Sequence, residues 1–143
     1  MHIKLADFGV SQDVSALVTI GGTSMYHAPE LWAIATCSSN LQDRRKRRLK
    51  GRSGTYTTGV DIWALGVVII QLMYNRPLMT SADPRNWPKT IVKAVNDLEP
   101  DPMVEFLRAH MLTVDCSLRS SAESVYLDCL QLQKKLPMPR TCV

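Results

Sequence analysis

Val60–Tyr74 reads V-D-I-W-A-L-G-V-V-I-I-Q-L-M-Y, and only Asp61, Gly66 and Gln71 interrupt its apolar side chains. A bilayer span takes about 20 apolar residues, so this stretch is too short to cross one. Val67-Val68-Ile69-Ile70 alone would suit a buried strand. The 15 residues together exceed an ordinary strand, and helix is the reading that fits the length. Asp61 near its start suits the positive end of a helix dipole, and Thr57 or Thr58 can act as its N-cap. A helix apolar on nearly every face must be wrapped by other chain on most sides.

The chain has 143 residues, enough for one domain with a real core. Its hydrophobic content of 45% and charged content of 21% are ordinary globular values. The net charge of +4 is unevenly spread, because residues 44–52 hold Arg44, Arg45, Lys46, Arg47, Arg48, Lys50 and Arg52. Without that run the chain would be slightly acidic, so the basic balance belongs to one segment. Cys37, Cys116, Cys129 and Cys142 form no C-x-x-C pair and have no histidine at ligand spacing. Neither a zinc site nor a disulfide framework is suggested. Reduced thiols, and an N-terminus without the apolar core of a signal peptide, point to the cytoplasm or nucleus and not to a membrane.

Outward from the central stretch, the polar residues 38–55 read as an insertion or loop. Before them, Ala28-Pro29-Glu30-Leu31-Trp32 places Pro and an acid where a helix begins, fading by about Cys37. His2–Ala6 alternates like a short strand and ends at a turn-like Asp7-Phe8-Gly9. Residues 10–24 show no period, and Gly21-Gly22 makes a hinge. After the central helix comes Pro77, a stop signal. A modest helix from Asn86 or Trp87 to Asp97 has Ile91, Val92 and Val95 on one face. Asp101-Pro102 opens another through Met111 or Leu112, with Met103, Phe106, Leu107 and Met111 at helical spacing. Ser120 or Ser121 followed by Glu123 resembles a capped start. The last helix would run to about Lys135 with Val125, Leu127, Leu130 and Leu132 as its apolar side chains.

Asp7-Phe8-Gly9 alone would be a strand-end turn. Its order with Gly22-Thr23-x-x-Tyr26-x-Ala28-Pro29-Glu30 and with Asp61-Ile62-Trp63-x-x-Gly66 is more specific. On these motifs the chain resembles the eukaryotic protein kinases of the serine/threonine type, from the strand before D-F-G onward. The resemblance runs from Ile3 to about Lys135. It implies a mainly α fold: a truncated large (C-terminal) kinase lobe, with a central buried helix, an activation-loop segment and four to five helices. The domain would cover 1–136, with the basic insertion at about 38–55 and a loose tail at 137–143.

The same resemblance implies roles for single residues. Asp7 would hold Mg²⁺ on the phosphates of ATP; otherwise it is a turn residue. Phe8 would pack differently in active and inactive states, and Gly9 would be the hinge. Val10–Thr23 would be the activation loop. Thr19 stands where an activating phosphate would pair with arginines, or is a solvated loop threonine. Thr23 would face the catalytic loop, with Ser24 in place of the family's usual Pro. Glu30 would pair with Arg119, a structural ion pair, unless both are surface charges. Asp61 would anchor the catalytic loop, and Trp63 and Gly66 would be packing positions. The basic run could be a nuclear-localisation or nucleic-acid patch, or a solvated insert; of these, a nucleic-acid partner is not expected.

The sequence contains no glycine-rich phosphate loop, no V-A-I-K-type lysine and no H-R-D-x-x-x-x-N run. That last run supplies the family's base and a second metal ligand. These residues by themselves are therefore expected to be inactive, with Mg and ATP bound only in the complete domain. The partners implied are a protein substrate or an upstream kinase. The alternative is a non-catalytic kinase-like binding module or a pseudogene product. With the family's catalytic loop absent, one side of the central helix and Asp61 should lack contacts, which favours self-association.

Overall fold

The fold is described from a computed structural model of the chain. It describes Lys4, Ala6, Gly9, Ser11 and residues 22–37, 56–74 and 83–135. Of the expected strand His2–Ala6 only Lys4 and Ala6 are described, neither in a strand; most of the loop at 10–24, the basic insertion, Pro77 and the C-terminal tail lie outside these residues. The described chain is mainly α. It comprises a 3-10 turn Ser24–Tyr26, α1 Pro29–Cys37, α2 Gly59–Tyr74, a 3-10 turn Pro84–Asn86, α3 Trp87–Asn96, α4 Pro102–Phe106 and α5 Ala122–Lys135. The chain leaves α4 through a π-helical turn, Leu107–Met111, so this expected helix is built of two geometries.

Helix α2 starts where the Gly59 N–H meets Thr57 Oγ1 at 3.3 Å. It buries Ile62, Trp63, Gly66, Val67 and Ile70, a stripe at helical spacing. The stripe packs on Leu107–Met111 and on Ser24–Tyr26. Ile91, Val95, Val104, Leu107 and Met111 complete the core around it. Gly66 permits the closest approach: a Cβ there would stand 2.9 Å from Leu112 Cδ2 and 3.1 Å from Met111 Cβ. Opposite this stripe, Leu65 and Leu72 are 47% and 77% exposed, and Met73, in line with Gly66 but beyond the last buried residue of the stripe, is 55% exposed. The described chain thus covers one flank of α2 and leaves another open.

Helix α3 buries Pro88, Ile91 and Val95 and exposes Lys89 and Lys93. Its last carbonyls lack intrahelical donors. Arg108 reaches this end, its Nη2 donating to the carbonyls of Val95 and Asn96 and to that of Leu98 just beyond the helix, at 2.9, 3.2 and 3.1 Å. A cation at this end also matches the helix dipole.

Asp101 caps α4, its Oδ1 accepting the N–H groups of Met103 and Val104 at 2.7 and 2.9 Å. Its Oδ2 accepts the Tyr74 hydroxyl at 2.8 Å, tying the end of α2 to the start of α4. Burial, then the bond to Asp101, pushes the Tyr74 hydroxyl up to about 12. Burial also works against ionising Asp101. The bonds from Val104, Tyr74 and Met103 and the charge of Arg108 outweigh it, and hold the carboxyl below its ordinary value.

In α5, Ser121 Oγ accepts the Ser124 N–H at 3.2 Å as an N-cap. The four apolar side chains of this helix divide between core and solvent. Val125 is buried and Leu132 packs against the core, but Leu127 and Leu130 are 52% and 39% exposed. At about 100° per residue, seven positions bring Leu132 back to the azimuth of Val125. Leu127 and Leu130 fall on the far side.

Candidate functional site

Glu30 lies in the first turn of α1, where a carboxylate suits the helix dipole. Arg119 follows the turn Asp115–Leu118, which closes with a backbone hydrogen bond of 3.1 Å. The two side chains meet in a bidentate pair: Nη1 to Oε1 at 2.7 Å and Nη2 to Oε2 at 3.1 Å. Arg119 Nη1 also donates to the Gly59 carbonyl at 2.8 Å, and Nη2 to the Thr113 carbonyl at 3.0 Å. Its guanidinium carbon lies 5.3 Å from the Trp63 ring centroid, close enough for a cation–π contact. The Arg119 side chain is 0% exposed and that of Glu30 16%. One planar cation therefore joins the starts of α1 and α2 to the segment after Leu112. Its planar fork of donors is spent on these acceptors, so it acts as a clamp.

The clamp positions the loop before α1. Gly22 has φ of +90°, a backbone conformation that disfavours side chains, although a Cβ there would meet nothing within 4 Å. Thr23 is extended and exposed, and its carbonyl accepts the Tyr26 N–H at 3.0 Å. Ala28 is fully buried. The Tyr26 hydroxyl approaches Gln71 Oε1 of α2 at 3.4 Å. His27, Trp32 and Trp87 form a chain of rings, with centroids 5.6 and 6.4 Å apart, from the loop to α3.

Asp61 is exposed in the first turn of α2, and Gly9 is an exposed turn residue. Asp7, Phe8 and Thr19 lie outside the described residues. Among the described residues no group of three His, Cys, Asp or Glu side chains could hold a metal ion. The sequence did not signal the Gly59 and Thr113 carbonyls, the aromatic chain or the carbonyl-capping Arg108. Backbone acceptors carry no residue signature, and ring contacts between distant segments have no period.

The protein kinase domain family matches residues 1–131. A "MAP kinase kinase skh1/pek1" of Schizosaccharomyces pombe is 32% identical over 69% of this chain and 23% of its own length. A "Probable serine/threonine-protein kinase CCRP1" of Zea mays is 30% identical over 87% of this chain and 18% of its own. "Serine/threonine-protein kinase SULU" of Caenorhabditis elegans is 30% identical over 85% and 11%. No solved structure matches. The chain belongs to the protein kinase domain family. It spans less than a quarter of the length of each of these three relatives.

Proposed function

We propose that this chain is the C-terminal helical part of a serine/threonine protein kinase catalytic domain, with Asp7 as its Mg·ATP ligand and Val10–Thr23 as its activation loop. The observation that carries this reading is the Glu30–Arg119 pair seated on Trp63 and the Gly59 carbonyl. It fixes the loop that contains Thr23 against the central helix. In phosphoryl transfer the protein contributes mostly positioning and charge stabilisation. The clamp is a positioning device of that kind: it holds backbone near a substrate and takes no part in bond breaking. Asp61 and Trp63 belong to the same frame, at the start of α2.

Residues 1–143 by themselves should bind Mg·ATP negligibly and phosphorylate nothing, because no H-R-D-x-x-x-x-N run is present to orient the hydroxyl nucleophile. The test incubates purified chain with radiolabelled Mg·ATP and a mixture of serine- and threonine-containing peptides. Incorporation that disappears in Asp7→Ala would overturn the inactivity. A specific observation also favours a non-catalytic, partner-binding role for these residues. Leu65 and Leu72 form an exposed apolar flank on α2, with Met73 exposed at the helix end beside it, and such patches mark association surfaces. No helix among the described residues is long and apolar enough to cross a membrane.

A further inference from the structure

Helices α4 and α5, with the π-helical turn between them, flank an open cleft of about 320 Å³ that the clamp does not use. Phe106 and Leu132 line it, with Pro102 beside them. Phe106 is itself part of the buried core, so the apolar lining is fixed in place. Two carboxylates from different helices also line it, Glu105 from α4 and Asp128 from α5, together with His110. His110 stacks on Phe106 with centroids 4.8 Å apart. Its Nδ1 lies 3.0 Å from Ser120 Oγ and 3.5 Å from Asp128 Oδ2, which fixes the ring. Glu105 Oε1 is held by Arg108 at 2.6 Å, and Asp128 Oδ2 by the Ser124 hydroxyl at 3.3 Å. Each carboxylate is thus anchored through one oxygen while its side chain stays open to solvent, 61% exposed for Glu105 and 34% for Asp128.

A site of this kind, with apolar walls and a few polar groups fixed by their own partners, orients one ligand group. The volume holds one long side chain. An aromatic and aliphatic lining suits a methylene stem, and carboxylates on both helices suit a planar cation that donates to each. We infer that the α4–α5 cleft receives an arginine side chain of a partner peptide, its stem over Phe106 and Leu132 and its guanidinium between Glu105 and Asp128. The Arg108 already on Glu105 does not fill this role, because its Nη2 is spent on the carbonyls of Val95, Asn96 and Leu98. The inference does not depend on catalysis. It makes this face a recognition surface for a basic segment, on a different pair of helices from the exposed flank of α2.

The test uses the full 143-residue chain and two blocked amino acids as probes, N-acetyl-arginine methylamide and its uncharged citrulline isostere. Chemical shifts of the His110 ring and the Gln131 side-chain amide are followed by NMR. The arginine probe should give saturable shifts at these two groups in the millimolar range. Affinity should fall by at least threefold between low salt and 0.3 M salt. The citrulline probe should bind at least tenfold more weakly. Asp128→Asn should reduce arginine binding about tenfold. Glu105→Gln, at a more exposed position, provides the same reading should the first variant fail to fold. Equal binding of the two probes, shifts spread over the whole surface, or a folded Glu105→Gln that binds as before would each overturn the inference. Because no ATP is present, the outcome is separate from that of the kinase assay.

Discussion

Glu30 and Arg119 are 89 positions apart in the chain and share two hydrogen bonds of 2.7 and 3.1 Å. Arg119 is the one charged side chain among the buried residues described. Removing one partner of a buried pair leaves the other without compensation, which costs about 3–5 kcal/mol. Arg119→Ala should therefore lower unfolding stability by about 3 kcal/mol, the lower end, because Glu30 retains some solvent. Arg119→Lys should recover little, since an ammonium cannot reach Glu30, Gly59 and Thr113 in one plane. Urea unfolding of the two variants checks this. A midpoint unchanged in Arg119→Ala would mean that the pair contributes nothing to the fold.

Tyr74 and Asp101 tie α2 to α4, and their titrations give the tie a pH signature. The Tyr74 proton is held more tightly in the folded chain, up to about 12. This contribution is therefore complete below about 10, the ordinary tyrosine value, and is lost as pH rises toward the folded value. Asp101 is shifted the other way. Its contribution is complete above about 3.9 and is lost as pH falls through its lower folded value. Phenolate absorbance should show a component that ionises near about 12, and Tyr74→Phe should remove it. Asp101→Ala removes both the cap and the partner, and should cost about 1–2 kcal/mol. If Tyr74→Phe leaves the absorbance titration unchanged apart from its amplitude, the hydroxyl is free.

Gly66 tests how close the central helix stands to its neighbour. In an exposed helix Gly→Ala would stabilise by about 1 kcal/mol. Here the new methyl would meet Leu112 Cδ2 at 2.9 Å and Met111 Cβ at 3.1 Å. The leucine tip can rotate, but Met111 Cβ is fixed by its backbone and is buried. Overpacking of this kind costs about 1–3 kcal/mol, so Gly66→Ala should be destabilising on balance. A higher melting temperature in calorimetry would show that the turn after α4 yields.

The elements legible in the sequence were those with local causes. Proline at the first turn of α1 and α4, the acid in the first turn of α2 and the serine before α5 each act within one helical turn. The apolar run at Val60–Tyr74 was legible as a helix because its length exceeded a strand. What it buried was less legible: an all-apolar helix has no moment to say which flank faces the core. Which apolar side chains of α5 are covered was illegible for a related reason, since Val125, Leu127, Leu130 and Leu132 do not share one azimuth. Arg119 could be named opposite Glu30 only through family resemblance. Its contacts with Gly59 and Thr113 go to carbonyls, which every residue has. The cleft between α4 and α5 was invisible because it is a relation between two helices joined by an irregular loop.

The open flank of α2 gives the last expectation. Leu65, Leu72 and Met73 lie within about two helical turns of each other, and Leu72 is the most exposed large apolar side chain described. Burying one such side chain is worth about 1.5–3 kcal/mol. Two or three together can offset a good part of the entropy lost on association, which is put at about 4–15 kcal/mol. Residues 1–143 should therefore self-associate at tens of micromolar and above. Leu72→Lys, on a side chain with little native contact to lose, should shift the equilibrium to monomer while leaving thermal stability within about 0.5 kcal/mol of the parent. Sedimentation equilibrium across a hundredfold range of concentration reads both arms. A parent chain that stays monomeric throughout, or a Leu72→Lys variant that associates equally, would remove this flank as an association surface. Loss of the fold in Leu72→Lys would instead place the side chain in a contact of the monomer.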